Sequence, residues 1–536
     1  MTTTVSGSSV SPASPAGMTA IDPKATDTAH ATSRVATGQK VQTRSDRPVE
    51  PLIFEKSVPG RRAVTLPALD VPVTSVPNDL VGGGFTGAEV GQLDVMRHYI
   101  RLAQRNFSVD GNFYPLGSCT MKYNPRINEW AAIQPGFANA HPLQEDEDIQ
   151  GTLRLLYETR TFLEEIAGLD EVSLQPAAGA QGEYTALKVI RAYFRDHGQE
   201  QRTKVLAPDT AHGTNPASCT MCGAEVITVP SKGAHMDLDE LKRIIEREGP
   251  ETICAMMVTN PNTSGLFDST IGKVADLLHD CGAMLYLDGA NMNAILGKTR
   301  PGDFGADAMH YNTHKTFSTP HGCGGPGAGP IAVRKELAPY LPVPQVVRKP
   351  DGTYALEYDR PKSIGKVRSF FGQFGVLVRC WTYIRSCGPE GLKNVAEISV
   401  LNANYIATKL RHRYEMPFFK PEEGDYAAHE FITVPAALLA KGVTLNDIAK
   451  RLIDYNFHPP TMHWPVHDCL MVEPTETESK FTLDRFVDAL LEIADQIERD
   501  AASLKAAPEA SFVRRLDEVA ANRKPVLVYD AMETKA

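Results

Sequence analysis

The chain has 536 residues, with 55 Lys and Arg against 65 Asp and Glu and a formal net charge of −10. A length of this order predicts several structural units. No apolar run approaches the roughly 20 residues of a spanning helix, so no membrane association is expected. No basic block of the kind that tracks a phosphate backbone is present, so nucleic acid is not an expected partner. The nine cysteines are scattered, which speaks against a disulfide framework and for a reducing, cytoplasmic setting.

Residues 1–60 begin with MTTTVSGSSVSPASPAG, rich in Ser, Thr, Ala and Pro and poor in large apolar side chains. Such a segment cannot repay the entropy of ordering and predicts a disordered tail. It lacks the basic and apolar regions of a signal peptide, and Asp22, Asp27 and Asp46 interrupt any transit-peptide pattern. Residues 61–125 read as an amino-terminal extension in which helical spacing starts near Asp94, with Val95, Tyr99, Ile100 and Leu102.

From 126 to 342 the pattern is alternating. Helical spacing over Ile149–Ile166 is followed by short apolar runs at Lys204–Ala207, Glu225–Val229, Ile253–Val258, Ala283–Leu287 and Ile331–Val333, with helical segments at Asp237–Glu248 and Thr270–Cys281 between them. That alternation predicts an α/β unit with a mostly parallel sheet covered by helices. After Pro342 and Pro344 come long helical stretches (Phe374–Ile384, then Leu392–Arg411) and a mixed region, read as a smaller α+β domain over 343–504, followed by a tail at 505–536 that packs on the domains.

The chemistry concentrates in Met309–Gly329, MHYNTHKTFSTPHGCGGPGAG, where Lys315 stands among small polar residues. A lysine that reacts with an aldehyde must be held at a fixed point and partly desolvated. Most single lysines are surface residues; here the company changes the reading. Asp288 follows the run Met284–Leu287, at the carboxyl end of a parallel strand where α/β sheets build their sites. A carboxylate there can keep a pyridine nitrogen protonated, although taken alone it is more often a turn residue. QPAAGAQGEY (Gln175–Tyr184) opens a helix with small residues, so that backbone N–H groups around Gly179 can approach a phosphate. His212, in AHGTNPAS after the strand-like KVLAP, can stack on a flat ring or handle a proton. In order, Gly179, His212, Asp288 and Lys315 match the fold-type-I group of pyridoxal-phosphate enzymes, with an aspartate aminotransferase-like architecture.

Two other signals point elsewhere. GCGGPG (Gly322–Gly327) matches a dinucleotide fingerprint in form, but a polar loop precedes it, Pro326 sits inside it and the strand-like PIAV follows it. His310, His314, His321 and Cys323 are dense, and Cys219 and Cys222 form one thiol pair, yet no second pair at zinc-site spacing accompanies it, so no metal is expected.

Beyond the fold group, FYPLGSCTMKYNP (Phe113–Pro125), QPAAGAQGEY, AHGTNPAS, VTNPNTSG, LDGANMNA, HKTFSTPHG and FHPPTMHWPVHDCLMVEPTE resemble, segment by segment and in order, the pyridoxal-phosphate protein of the glycine cleavage system. The resemblance runs from about Leu80 to Leu504 and into VRRLDEVAANRKPVL near the end. It implies the lysine-bearing half of a protein that some organisms split into two homologous subunits, hence a two-plus-two heterotetramer with a silent first subunit. It implies pyridoxal 5'-phosphate as cofactor, glycine as substrate, release of CO2, and transfer of the aminomethyl group to the lipoyl arm of a separate carrier, the H-protein. Carried over by residue, Lys315 is the covalent anchor, Asp288 the partner of the ring nitrogen, and His212 the stacking residue and a catalytic candidate. Ala178, Gly179 and Ala180 give backbone contacts to the phosphate, with help from Thr313. Asn260 and Asn291 approach the ring hydroxyl or the substrate, and His314 and His458 are candidates for proton handling. The chain departs from the family in having Ala177-Ala178 where Asn-Ser is frequent, in Cys323 within the glycine run, and in its amino-terminal tail. Two alternatives stay open: another fold-type-I reaction such as aldol cleavage or transamination, and a non-catalytic supporting subunit.

Overall fold

The computed structural model describes residues 49–82, 87–141, 143–321, 327–369 and 371–527. Most of the expected tail, residues 1–48, lies outside the described residues, as does most of the GCGGPG loop with Cys323. Of the last stretch of that tail, Glu50 is buried and hydrogen-bonded to His98 Nδ1 at 3.1 Å. His98 belongs to an amphipathic helix, Gln92–Ala103.

The centre is a seven-stranded sheet, numbered here β1 (Glu171–Ser173), β2 (Lys204–Pro208), β3 (Glu225–Val229), β4 (Ile253–Thr259), β5 (Met284–Gly289), β6 (Ala308–Tyr311) and β7 (Ile331–Val333), in the order β1-β7-β6-β5-β4-β2-β3. Strands β3, β2, β4, β5 and β6 run parallel, and only β7 opposes its neighbours. Side chains alternate between two cores, as a pleat of period two requires. Leu206, Met256, Leu285 and Leu287 face one hydrophobic cluster and Val205, Met257 and Tyr286 the other. Helix Gln150–Ala167 supplies Leu153, Leu156 and Leu163 to the first core, and helix Gly179–Asp196 supplies Leu187 and Ile190 to the second. Both faces of the sheet are therefore covered, which explains why the strands read as continuous apolar runs.

The expected strands and helices between Lys204 and Val333 are present, with ends shifted by a residue or two. Strand β6 was not expected, because His310 breaks its apolar run. That imidazole is buried in the strand, with its Nδ1 hydrogen-bonded to the Tyr286 hydroxyl at 2.6 Å.

A second core gathers Phe113, Ala403, Ile406, Phe431, Leu452, Leu470, Phe486 and Ile493, with helices Leu445–Asp454 and Lys480–Asp500 packed around it. Its antiparallel sheet is β10 (Phe431–Thr433), β12 (Leu470–Val472) and β11 (Thr461–Met462), side by side in that order. A hairpin, β8 (Gln345–Arg348) and β9 (Tyr354–Glu357), instead packs on helix Gln150–Ala167, and its Val346 joins the first core. The helical stretch Phe374–Leu410 is broken at Gly388, whose φ of 61° precedes Pro389, matching the two helices expected there. Among the described residues no helix is long and apolar enough to cross a membrane.

Leu156 has no exposed surface, so Leu156→Ala should lower stability by about 2–5 kcal/mol, read as a lower urea midpoint at constant slope. A loss below about 1 kcal/mol would mean that the helix–sheet interface is not packed as described.

Candidate active site

Parallel strands β2, β4, β5 and β6 end on one edge of the sheet; Asp288 is the last residue but one of β5, and His212, Asn260 and Lys315 stand in the segments that follow β2, β4 and β6. The topology thus brings together four residues that are up to about a hundred positions apart in the chain.

Asp288, at 5% exposure, is the best anchored of these. Its Oδ2 accepts from Asn215 Nδ2 at 3.0 Å and its Oδ1 from the Ala290 N–H at 3.0 Å, while His310 Nε2 stands 3.4 Å from Oδ1. His310 reaches it because β5 and β6 pair Asp288 with His310 in parallel register. Burial pushes the Asp288 carboxyl up, but the His310 imidazole, the hydrogen bonds from Asn215 and Ala290 and the charge of Lys315 outweigh it, leaving the carboxyl below its ordinary range. Glu183, on the helix that starts at Gly179, shares this pocket and behaves oppositely. Burial and the neighbouring Asp288 charge push it up to about 8, against hydrogen bonds from Ser218 and Asn215. Two carboxyls side by side thus divide into one charged and one protonated.

Gly179 opens its helix with Ala178 as the extended N-cap residue. The first N–H groups of any helix lack intrahelical partners and point outward at the positive end of the dipole. A Cβ on Gly179 would lie 2.0 Å from Asn312 Oδ1, and a Cβ on Gly329 would lie 2.1 Å from the Ala178 carbonyl oxygen. The residue before Thr313 and the start of the next strand's approach therefore press against this helix end, and only glycine permits the contact. Asn312 Oδ1 is buried there with no hydrogen-bond partner among the described residues.

Lys315 follows β6 in a turn whose N–H groups are tied at Lys315 to Asn312 O (3.0 Å) and at Ser318 to Lys315 O (3.3 Å). It is half-buried. Its charge acts on Asp288, Glu183, His212 and His310 at the sheet edge and on Glu430 and Glu473 beside the second core.

The remaining expected residues divide. His212 keeps an exposed ring, edge-on to Trp464 at 5.5 Å; the protein around it pulls its pKa down, Asp288 opposes this and Lys315 adds to it. Asn291 donates to Thr120 Oγ1 at 2.5 Å and to Glu473 Oε1 at 2.8 Å, so it reaches from the segment after β5 to the carboxyl that follows β12. Thr313 is buried, its hydroxyl engaged with Thr319 and with the Ala328 carbonyl. Asn260 is turned into its own loop, donating to Asp268 O at 3.1 Å and accepting from Asp268 N at 2.9 Å. His314 lies edge-on to His321 at 4.7 Å, and burial, with His321 and Lys315 adding to it, holds it at about 3. His458 stacks on Tyr114 at 3.6 Å, and its Nδ1 lies 2.7 Å from the Pro459 carbonyl oxygen.

Sequence reading missed Glu183, Asn215, His310, Glu430 and Glu473 as site residues. Asn215, Glu183 and Glu473 stood inside quoted strings, and polar residues beside strand ends were the available signal. Glu430 gave none, since HEF before a short strand reads as a boundary.

The glycine cleavage system P-protein family matches residues 85–350, and the glycine dehydrogenase C-terminal domain matches 395–514. A glycine dehydrogenase (decarboxylating) subunit 2 of Bacillus licheniformis is 52% identical over 488 residues, spanning 89% of this chain and 98% of that one. The chain belongs to the glycine cleavage system P-protein family. A crystal structure of a glycine decarboxylase P-protein in inhibitor-bound form superposes with TM-score 0.64 at 22% identity, covering 78% of this chain and 93% of that one. A sphingosine-1-phosphate lyase of Burkholderia pseudomallei superposes with TM-score 0.56 at 13% identity, covering 82% and 94%. The P-protein fold here is thus that of the fold-type-I pyridoxal-phosphate enzymes.

Glu183 offers a test of the electrostatics in this P-protein. Its folded pKa of about 8 exceeds the roughly 4.3 of an unfolded glutamate. The folded chain therefore binds the extra proton between those values, and this contribution to stability is present below the lower value and is lost as pH rises through the upper one. Thermal midpoints measured from about pH 5 to about pH 9 should fall less steeply for Glu183→Gln than for the unsubstituted chain. Equal slopes would contradict a protonated Glu183.

Proposed function

We propose that this chain is the cofactor-bearing subunit of a two-subunit glycine decarboxylase, which releases the carboxyl of glycine as CO2 and passes the aminomethyl group to the lipoyl arm of a separate carrier protein. The observation that carries this reading is a half-buried lysine set between a charged, buried carboxylate and an open helix N-terminus, in a chain of the P-protein family.

The residues fit pyridoxal phosphate at three points. The N–H groups at Gly179 and Ala180, approached closely because no Cβ intervenes, suit a phosphate. Asp288, kept ionised by Asn215, Ala290 and His310, suits a protonated ring nitrogen. Lys315 supplies the amine that anchors the aldehyde, and the exposed His212 ring is free to lie along the face of the cofactor. When bound, the cofactor supplies an electron sink for the pair left behind as CO2 departs. What this chain adds is placement. Asp288 holds a proton on the ring nitrogen, the helix end fixes the phosphate, and Asn291, Thr120 and Glu473 form a hydrogen-bonded wall on the substrate side.

A partner subunit accords with the subunit 2 designation of the Bacillus licheniformis relative. It also accords with exposed apolar side chains along the extended stretch before helix Gln92–Ala103, among them Val64, Leu66, Leu69 and Val73, since contiguous exposed apolar surface marks interaction sites. The homologous first subunit, in a two-plus-two assembly, is the proposed occupant.

Two outcomes are expected. Borohydride reduction of the loaded protein should fix the cofactor covalently on one peptide, the one containing Lys315; label on another side chain, or none, would defeat the proposal. Gly329→Ala places a Cβ against the Ala178–Gly179 peptide, which cannot move without shifting the helix end. Cofactor affinity should drop at least about tenfold, equivalent to about 1.4 kcal/mol, with the far-ultraviolet spectrum retained, as read by titrating visible absorbance.

A further inference from the structure

At one end of the three-stranded antiparallel sheet stand two buried carboxyls, of which the scheme above uses only Glu473, as wall. Glu430 immediately precedes β10 and Glu473 immediately follows β12, and the antiparallel register pairs Phe431 with Val472. The two glutamates therefore emerge side by side from one end of that sheet. The segment Phe113–Pro125 runs along β12, with Gly117 N bonded to Met471 O, and brings further donors to the pair. Ser118 N donates to Glu430 Oε2 at 2.7 Å; Thr120 N and Oγ1 donate to Glu473 at 3.0 and 2.7 Å, and Asn291 Nδ2 at 2.8 Å.

Both glutamates are buried, at 3% and 0% exposure, and their oxygens lie within 4.8 Å of one another and of a His429 ring nitrogen. Two carboxylates this close in a dry site do not both ionise. Burial raises the Glu473 carboxyl too, but its three donors oppose this, whereas Glu430 has one such donor, so the shared charge leans toward Glu473. Burial and the neighbouring Glu473 push Glu430 up to about 8, and burial holds His429 neutral, at about 3. Both Glu473 oxygens already accept hydrogen bonds, which favours proton chemistry over a bound cation. His429 Nδ1 is buried with no partner among the described residues, and Lys315 acts on all three groups.

Resting on the function proposed above, we infer that Glu430 and Glu473 form one proton store for the reaction: the pair takes the proton that the ammonium of glycine must lose, and returns one to the sulfur freed when the acceptor disulfide opens. The balance closes. Loss of CO2 leaves an electron pair on the glycine carbon; that pair forms the C–S bond, the S–S bond breaks, and its electrons go to the second sulfur, which takes the proton. Carbon is oxidised by two electrons and the disulfide is reduced by two. The pair starts with one proton, holds two after the ammonium has given one up, and ends with one, so the cycle needs no proton from outside.

The test uses the enzyme assembled from both subunits with its cofactor, oxidised lipoamide as acceptor, and CO2 release from carboxyl-labelled glycine. Gln in place of Glu430 mimics the neutral acid without a transferable proton. Glu430→Gln and Glu473→Gln should each lower the turnover at saturating glycine by about 100-fold, while KM for glycine and its effect on the cofactor spectrum change by less than about threefold. Glu430→Asp, which keeps the acid, should recover activity to within about tenfold of the parent. Turnover of Glu430→Gln within about threefold of the parent, or a fall shared equally with glycine binding, would overturn the proton store while leaving the proposed function standing. A parent enzyme that releases no CO2 from glycine would overturn both.

Discussion

A charged carboxylate inside a protein is costly unless every lone pair is answered, and Asp288 shows what answering it demands. One hydrogen bond comes from the helix after β2 (Asn215) and one from the backbone two residues on (Ala290), while the His310 imidazole of the neighbouring strand stands 3.4 Å away. These three groups meet only if β2, β5 and β6 lie in one sheet, in parallel and in register. His310 in turn is held by Tyr286, and Glu183 gives up its own charge because Asp288 keeps one. The polar centre of the large domain is thus a single network, and the strand order of the sheet is the condition for it.

The small sheet of the second core carries the opposite arrangement. Where the Asp288 carboxyl is held below its ordinary range, burial pushes both Glu430 and Glu473 above theirs. Lys315 lies between the two, half-buried and felt by both. The amine thus faces a fixed negative charge on one side and an adjustable one on the other. That asymmetry suits chemistry in which one end of a bound group must stay protonated throughout while protons come and go at the other end.

The histidines show how context overrides residue type. His314 stands between Thr313 and Lys315 and His458 between Phe457 and Pro459, and the chain alone offers both as proton-handling candidates. In the structure His314 is a neutral ring packed on His321 near the lysine, and His458 is a stacked partner of Tyr114. Asn260 likewise stands at a strand end, as Asp288 does, yet spends both halves of its amide on holding its own loop. The position of a polar residue at a strand's carboxyl end identifies the right edge of the sheet and does not say which way the side chain turns.

The sequence by itself determined the alternation of apolar runs and amphipathic helices, the glycine at the helix start, the lysine, the aspartate, and, through long shared strings, the family. These are local properties: burial on both faces, close backbone approach and unusual residue runs are written in neighbouring positions. The tertiary structure alone decided which carboxyl is charged, that His310 sits in a strand, and that Glu430 meets Glu473. Each of those depends on contacts between residues far apart in the chain, where register and burial set the electrostatics, and no short window of sequence records the field at a point in space.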